Sequence, residues 1–271
     1  MDLVDYDQKA YDDLVADFEK FSSELNVKDI RYIPISALLG DNVVDKSENM
    51  PWYDGRTLLS TLENIHIASD ENMEDARFPI QTVIRPHSKE YHDFRGYAGK
   101  VASGVFKKGD KVKLLPSTFE SVISGIHSLD GELEEAFPPM SVCLTLEDDL
   151  DLSRGDMIVK LDSEPDAQQE FEAMICWLNQ NTAATRAKYY LKHTSNEVRA
   201  MIKESVYKLN INTMEREEQP ADIKMNDILR VKIKTTKPIL ADAYRDNRTS
   251  GSFILIDETT HETVAAGMIL D

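Results

Sequence analysis

Between Tyr6 and Leu25 the apolar residues Tyr11, Leu14, Val15, Phe18, Phe21 and Leu25 recur at helical spacing, which predicts a helix with one buried stripe. Asp5, with Gln8 three positions on, reads as its capping box, Asp standing where Ser or Thr is usual. The run IRYIPIS (30–36) is rich in β-branched and aromatic residues and predicts a short strand over Ile30–Ile35. TLLSTLENI (57–65) then returns to the helical period, and the acidic, small-residue stretch ASDENMEDA (68–76) reads as a linker.

Beyond it the period changes from helical to alternating. FPIQTVI, GYAGKVASG, DKVKLL, ESVISGIHSL, SVCLTL and DMIVKL are short strands broken by Gly, Pro, Asp and Ser. A second polar break, DSEPDAQ (162–168), precedes FEAMICWL, TRAKYYLKH, ESVYKLNINT, ILRVKIKT, SFILID and TVAAGMIL. Many short strands at this spacing predict closed β-barrels or sandwiches rather than βαβ units. The expected fold is therefore mainly β: a partial α/β piece over 1–69, then two β-barrel domains over 70–163 and 164–271.

Charge narrows the partners. With 49 acidic against 31 basic residues, the net charge is -18, a field that repels polyphosphate backbones and argues against nucleic acid. No apolar run approaches the roughly 18–20 residues that span a bilayer, so no membrane partner is expected. The N-terminus lacks the basic and apolar regions of a signal peptide, and a cytoplasmic location is expected. Cys143 and Cys176 each sit in an apolar stretch and read as separate buried thiols of a reducing compartment. They make no zinc-binding pair.

Candidate chemistry lies near the start. A guanine ring offers N1–H and N2–H as donors and O6 as an acceptor. A carboxylate can take both donors and a backbone N–H can meet O6. Asp2 is the candidate for the first role, and the turn Ser36-Ala37-Leu38, directly after the expected strand, for the second. Its place fits the rule that open α/β sheets bind ligands beyond the carboxyl ends of their strands. Other polar groupings read as structure. His87, His92 and Asp93 match no metal-ligand spacing and read as a loop. The acidic runs Glu147–Asp151 and Gly131–Phe137 read as solvated turns. Tyr189 and Tyr190, beside Lys188 and Lys192, read as strand alternation. No metal site and no catalytic residue is expected.

MDLVD resembles the tail of the Asn-Lys-x-Asp guanine-specificity motif of GTPases, and ISALLGDNV resembles its Ser-Ala-Leu partner. FRGYAGKVASGVFKKGDKVKLLP (94–116) resembles the opening hairpin of the second domain of translation-factor-type GTPases, with Gly96, Gly99, Gly104 and Gly109 at tight turns. LSRGDMIV resembles that domain's closing strand, and GSFILIDETTHETVAAGMI the terminal hairpin of the third domain. GDNVVDKSENMPWYDGRTLLSTLENI, RFPIQTVIRP, DFRGYAGKVASG, EEAFPP and YRDNRTSGSFILID together resemble the large, GTP-hydrolysing subunit of bacterial sulfate adenylyltransferase, over essentially the whole chain.

The resemblance implies a role in converting ATP and sulfate to adenosine 5′-phosphosulfate and pyrophosphate. In that family a separate small catalytic subunit transfers the adenylyl group, while the large subunit hydrolyses GTP with Mg²⁺ and couples its cycle to the transfer. Asp2, Ser36, Ala37 and Leu38 would be the guanine-binding residues. The chain departs from the pattern in one respect: it contains no Gly-x-x-x-x-Gly-Lys-Ser/Thr loop, no switch segments, and no Asn-Lys ahead of Met1. It is therefore expected to be the C-terminal part of such a subunit, inactive and binding no GTP or Mg²⁺ on its own. Its partner would be the small subunit, and 1–69 would self-associate or be less protected than the barrels. Two alternatives stay open: a fragment of an elongation-factor-like GTPase, which would require basic barrel surfaces, and a β-barrel interaction module unconnected to nucleotides.

Overall fold

Residues 1–23, 27, 29–65, 71–86, 94–183 and 187–271 are described by the computed structural model. They form two units, Met1–Asp70 and Glu71–Asp271.

The first unit opens with a 3-10 turn at Asp2–Val4, followed by helix α1 (Gln8–Ser22) and, after a long irregular segment, helix α2 (Leu58–Glu63). The cap of α1 is Asp7, whose carboxylate accepts from the Lys9 N–H at 3.1 Å. Asp5 was expected there, but Asp5 and Tyr6 both take left-handed backbone (φ 50 and 59), a turn that delivers Asp7 in the extended conformation an N-cap needs. The helical period of α1 is as expected, but its stripe is not buried. Leu14 is 70% and Phe18 46% exposed, while Tyr11 is half-buried and bonds the Tyr32 carbonyl at 3.1 Å. Leu25 lies outside the described residues.

Ile30–Ile35 does not form a strand. A strand is defined by its ladder, and here the carbonyls are taken by other donors. Tyr32 O accepts from Tyr11 Oη, Pro34 O from Asn42 Nδ2 at 2.9 Å, and Ile35 O from the Met1 ammonium at 2.8 Å. β-propensity in the sequence specifies a fit to a sheet, not the sheet itself.

The second unit is two closed barrels. The strands of the first are β1 (Arg77–Ile84), β2 (Gly96–Lys100), β3 (Phe106–Lys107), β4 (Lys111–Leu115), β5 (Phe119–Ser128), β6 (Gly131–Leu133), β7 (Glu135–Ala136), β8 (Ser141–Leu146) and β9 (Met157–Lys160). The sheet runs β4-β9-β1-β2-β8-β5-β6 and closes on itself through β4–β5, all pairs antiparallel, which removes free edges from the wall. Alternation puts Phe78, Ile80, Tyr97, Leu114, Ile126, Leu144 and Ile158 inside. Residues 94–116 are not a hairpin: β2 pairs with β1 and β8, β3 with β7, and β4 with β5 and β9. Gly104 and Gly109 do take left-handed turns (φ 68 and 88). Gly96 and Gly99 instead lie within β2, where a Cβ on Gly99 would meet the Pro79 carbonyl at 2.4 Å.

The second barrel comprises β10 (Asp166–Trp177), β11 (Lys188–His193), β12 (Asn196–Leu209), β13 (Arg216–Glu218), β14 (Ile228–Ala241), β15 (Ser252–Asp257) and β16 (Thr263–Ile269). Its order is β11-β15-β16-β10-β14-β12-β13, closed through β11–β12. The expected break at 162–168 is shorter in the structure, because Asp166 already pairs with Ala241. Trp177, Ile175, Leu191, Val231 and Leu255 fill the interior. Tyr189 belongs to this core, edge-on to Trp177, and Tyr190 lies half-buried under the Arg199 guanidinium. The cysteines are free thiols, half-buried rather than fully buried, one on each barrel.

A buried polar network joins the barrels. Arg77, 3% exposed, forks onto Asp242 at 3.0 and 2.8 Å. Its remaining nitrogen donates to the Ala76 carbonyl and to the carbonyl and hydroxyl of Ser163. Ser250 Oγ completes Asp242, and Asn247 Nδ2 donates to Ser103 Oγ at 2.7 Å. The segment read as a linker feeds the same network. Asn72 Nδ2 donates to the Asp246 carbonyl, Asp75 accepts from Ser163, and Ala76 is fully buried. A buried ion pair is tolerable only when its other hydrogen-bonding groups are satisfied, as they are here.

Candidate functional site

The four residues singled out from sequence come together in the first unit. Ser36, 1% exposed, donates its hydroxyl to Asp2 Oδ1 at 2.7 Å and accepts from the Leu39 N–H at 3.2 Å. Its backbone N–H donates to the Asp41 carbonyl at 3.2 Å, and its carbonyl accepts from Gly40 N–H at 2.9 Å. Gly40 takes a left-handed φ of 83°, which closes the turn. Ala37 and Leu38 sit on the outside of it, exposed, and their backbone N–H groups bond no group among the described residues.

The electrostatics keep Asp2 ionised. The Ser36 hydroxyl, followed by local backbone and N-terminal charge, holds its carboxyl below the usual carboxylate range. Only Oδ1 is engaged by Ser36, leaving acceptor capacity on both oxygens. A carboxylate and outward-facing amides, tied together by one serine, are the donor and acceptor set that the edge of a guanine base calls for. The 271 residues contain no phosphate-cradling loop, and among the described residues no group of His, Cys, Asp and Glu could hold a metal ion.

Around the corner lies a second layer that sequence reasoning missed. Asn42, 2% exposed, donates to the Pro34 carbonyl and accepts from the Ser47 N–H, both at 2.9 Å, in a left-handed conformation of φ 55°. Asp41 accepts from Tyr6 Oη at 2.9 Å and Ser47 Oγ at 2.5 Å, which lowers its pKa; the Ser47 bond is the larger cause. The Trp52 indole donates to the Tyr6 carbonyl at 3.1 Å. The signal was available, because Gly-Asp-Asn after an extended run is turn chemistry with polar side chains free to bond backbone.

The remaining candidates stay structural or lie outside. His87, His92 and Asp93 fall in 87–93, outside the described residues. Within Glu147–Asp151, Asp149 and Asp151 pair with Arg95, at 2.6 and 3.3 Å, and Asp148 accepts from Ser121. Glu132 pairs with Lys108 at 2.6 Å.

Over all 271 residues the chain is 48% identical to "Sulfate adenylyltransferase subunit 1" of Bacteroides fragilis, covering 56% of that protein. The chain is a relative of sulfate adenylyltransferase subunit 1. The same full-length identity of 48% holds to the "Bifunctional enzyme CysN/CysC" of Mycobacterium tuberculosis, of which the chain covers 44%. The chain thus spans about half the length of these relatives. Residues 170–270, the second barrel, match the family model "GTP-eEF1A C-terminal domain-like". In structure the chain is similar to sup35 solved with GDP (TM-score 0.67, 20% identity, 98% of this chain and 66% of that one), which shows the translation-factor fold. No described helix is long and apolar enough to cross a membrane.

Proposed function

We propose that this chain is the C-terminal, barrel-bearing part of a sulfate adenylyltransferase subunit 1, comprising a base-recognising corner (1–69) and two barrel domains (70–163 and 164–271). On this reading the intact protein hydrolyses GTP with Mg²⁺ and couples the cycle to formation of adenosine 5′-phosphosulfate from ATP and sulfate. The small catalytic subunit is its cytoplasmic partner. Asp2 would take N1–H and N2–H of guanine, Ser36 would hold Asp2, and the amides of Ala37 and Leu38 would face O6.

The observation that supports the reading is the 2.7 Å bond from Ser36 to Asp2, which ties together the two segments, 34 residues apart, that the reading assigns to the guanine base. The elongation-factor alternative calls for basic barrel surfaces, and a net charge of -18 opposes it. Calorimetric titration of the chain with GTP and Mg²⁺ should give no binding tighter than about millimolar and no turnover, since the phosphate contacts are missing. In the same buffer the chain should retain the small catalytic subunit on a column. Micromolar GTP affinity with turnover would sink the first half of the reading, and failure to retain the subunit the second.

A further inference from the structure

Alternation fixes which side chains of the second barrel point outward. On β10 the inward set is Phe171, Ala173, Ile175 and Trp177, so Met174 and Cys176 face out. On β16 Ala266 and Met268 face out, and on β15 Ile254 does so between buried Phe253 and Leu255. The registers then align these positions across four strands. Cys176 pairs with Ala266, Ala266 with Ile254, and Ile254 with Lys192, while Met174 pairs with Met268 in the next row. The result is a shallow groove of about 620 Å³ with an apolar floor and one cation at its β11 end.

The exterior of a closed barrel exposed to water is normally polar, and the other half of this one is. There Lys203 pairs with Glu170, Arg230 with Glu172, and Lys232 with Glu204, at 2.5 to 3.1 Å. The groove departs from that pattern twice. Its floor is methionine, isoleucine, alanine and cysteine, and none of the residues lining it is Asp or Glu, in a chain with 49 of them. Lys192 is exposed and forms no ion pair among the described residues, although Glu197 lies opposite it on β12. An apolar floor with an unmatched ammonium at one end is the complement of a segment carrying apolar side chains beside a carboxylate.

We infer that this groove is a docking surface for a protein partner, engaged by an amphipathic segment whose apolar side chains lie over Met174, Cys176, Ile254 and Met268 and whose acidic side chain pairs with Lys192. Because β10, β16, β15 and β11 are each paired on both sides, no strand edge is offered at the groove and the contact runs through side chains. Unbranched methionines suit such a surface, since their polarizable side chains repack around different apolar shapes. A second copy of the chain is a poorer occupant: it brings the same groove, with lysine and no carboxylate, and a net charge of the same sign. The inference goes beyond the sulfate-activation reading and does not depend on it.

The test uses the full 271-residue chain, immobilised, against a phage-displayed library of random linear dodecapeptides. Peptides enriched on the parent chain should share two or more large apolar residues flanking Asp or Glu. As free peptides they should bind Met268→Asp and Lys192→Glu chains at least about tenfold more weakly. Repeating the selection on Lys192→Glu should exchange the acidic preference for Lys or Arg. Both positions are outward, so unchanged circular dichroism and urea midpoints serve as the folding control. Three results overturn the inference. They are no enrichment, enriched peptides indifferent to both substitutions, and a concentration-dependent dimer of the parent that Met268→Asp abolishes.

Discussion

His193 shows how one buried residue makes the fold's stability depend on pH. It is 1% exposed at the end of β11, and its Nε2 lies 2.6 Å from the Ser250 carbonyl, a position that suits a neutral imidazole donating Nε2–H. Burial pushes its pKa below the usual value, with the Ser250 bond and the Asp242 charge acting the other way. Between about pH 6.5, the unfolded value, and the lower folded value, the unfolded chain binds more protons. The contribution of His193 is therefore fully present above about pH 6.5 and is lost as pH falls through the window below it. Urea midpoints measured at pH about 7.5 and about 5 should fall more steeply for the parent than for His193→Gln, whose amide can still donate to Ser250. Equal pH slopes for the two chains would show that His193 is not the titrating group. None of this was legible beforehand, since TRAKYYLKH announces a strand but not that its last residue is buried against the Ser250 carbonyl.

At the scale of the element, the alternating period located the strands and left their pairing open. Every apolar run after Arg77 that reads as a strand is one, because each closed barrel buries one face and period two says which. Pairing partners were not legible, because ring closure brings β4 to β9 and β5 to β8 across intervals that local pattern does not encode. The expected strand at Ile30–Ile35 failed for the complementary reason: its composition suits a sheet, but no ladder partner stands beside it among the described residues. Of the first unit's polar turn, the sequence pointed to Asp2 and Ser36, which are hydrogen-bonded to each other, while Asn42 and Asp41 behind them went unread. Gly99 tests a close strand-to-strand approach onto backbone. Any Cβ there meets the Pro79 carbonyl of β1 at 2.4 Å, a backbone atom that cannot swing aside. Gly99→Ala should cost about 1–3 kcal/mol or more by forcing β1 and β2 apart, read as a lower urea midpoint. An unchanged midpoint would mean that the two strands have slack this packing does not show.

At the scale of the whole molecule, the two units differ most in what they bury. In the described part of 1–70 the one fully buried large apolar side chain is Met50, and Leu3, Leu14, Leu38, Leu39 and Leu62 are each more than half exposed. The barrels bury two full clusters headed by Trp177, Tyr97, Phe78 and Phe106. Ordering each residue costs roughly 1–2 kcal/mol of backbone entropy, offset mainly by apolar area removed from water at about 25 cal/mol per Å². The first unit has little of that area to set against its cost, so its stability should rest on the polar turn around Asn42 and be far smaller than that of the barrels. The two tryptophans allow each unit to be read separately, since Trp52 reports the first and buried Trp177 the second. In urea, a Trp177→Phe chain followed by Trp52 emission should lose signal at a clearly lower midpoint than a Trp52→Phe chain followed by Trp177. Amide exchange should agree, with 1–65 exchanging well before the barrel strands. Were unfolding a single event, Trp177→Phe would lower the midpoint of the whole chain and imitate this order, so the Trp52 signal is compared with the circular-dichroism transition of the same Trp177→Phe chain, which should come later. Coincident midpoints and uniform protection would therefore establish that single event and refute the separate, weaker stability of the first unit.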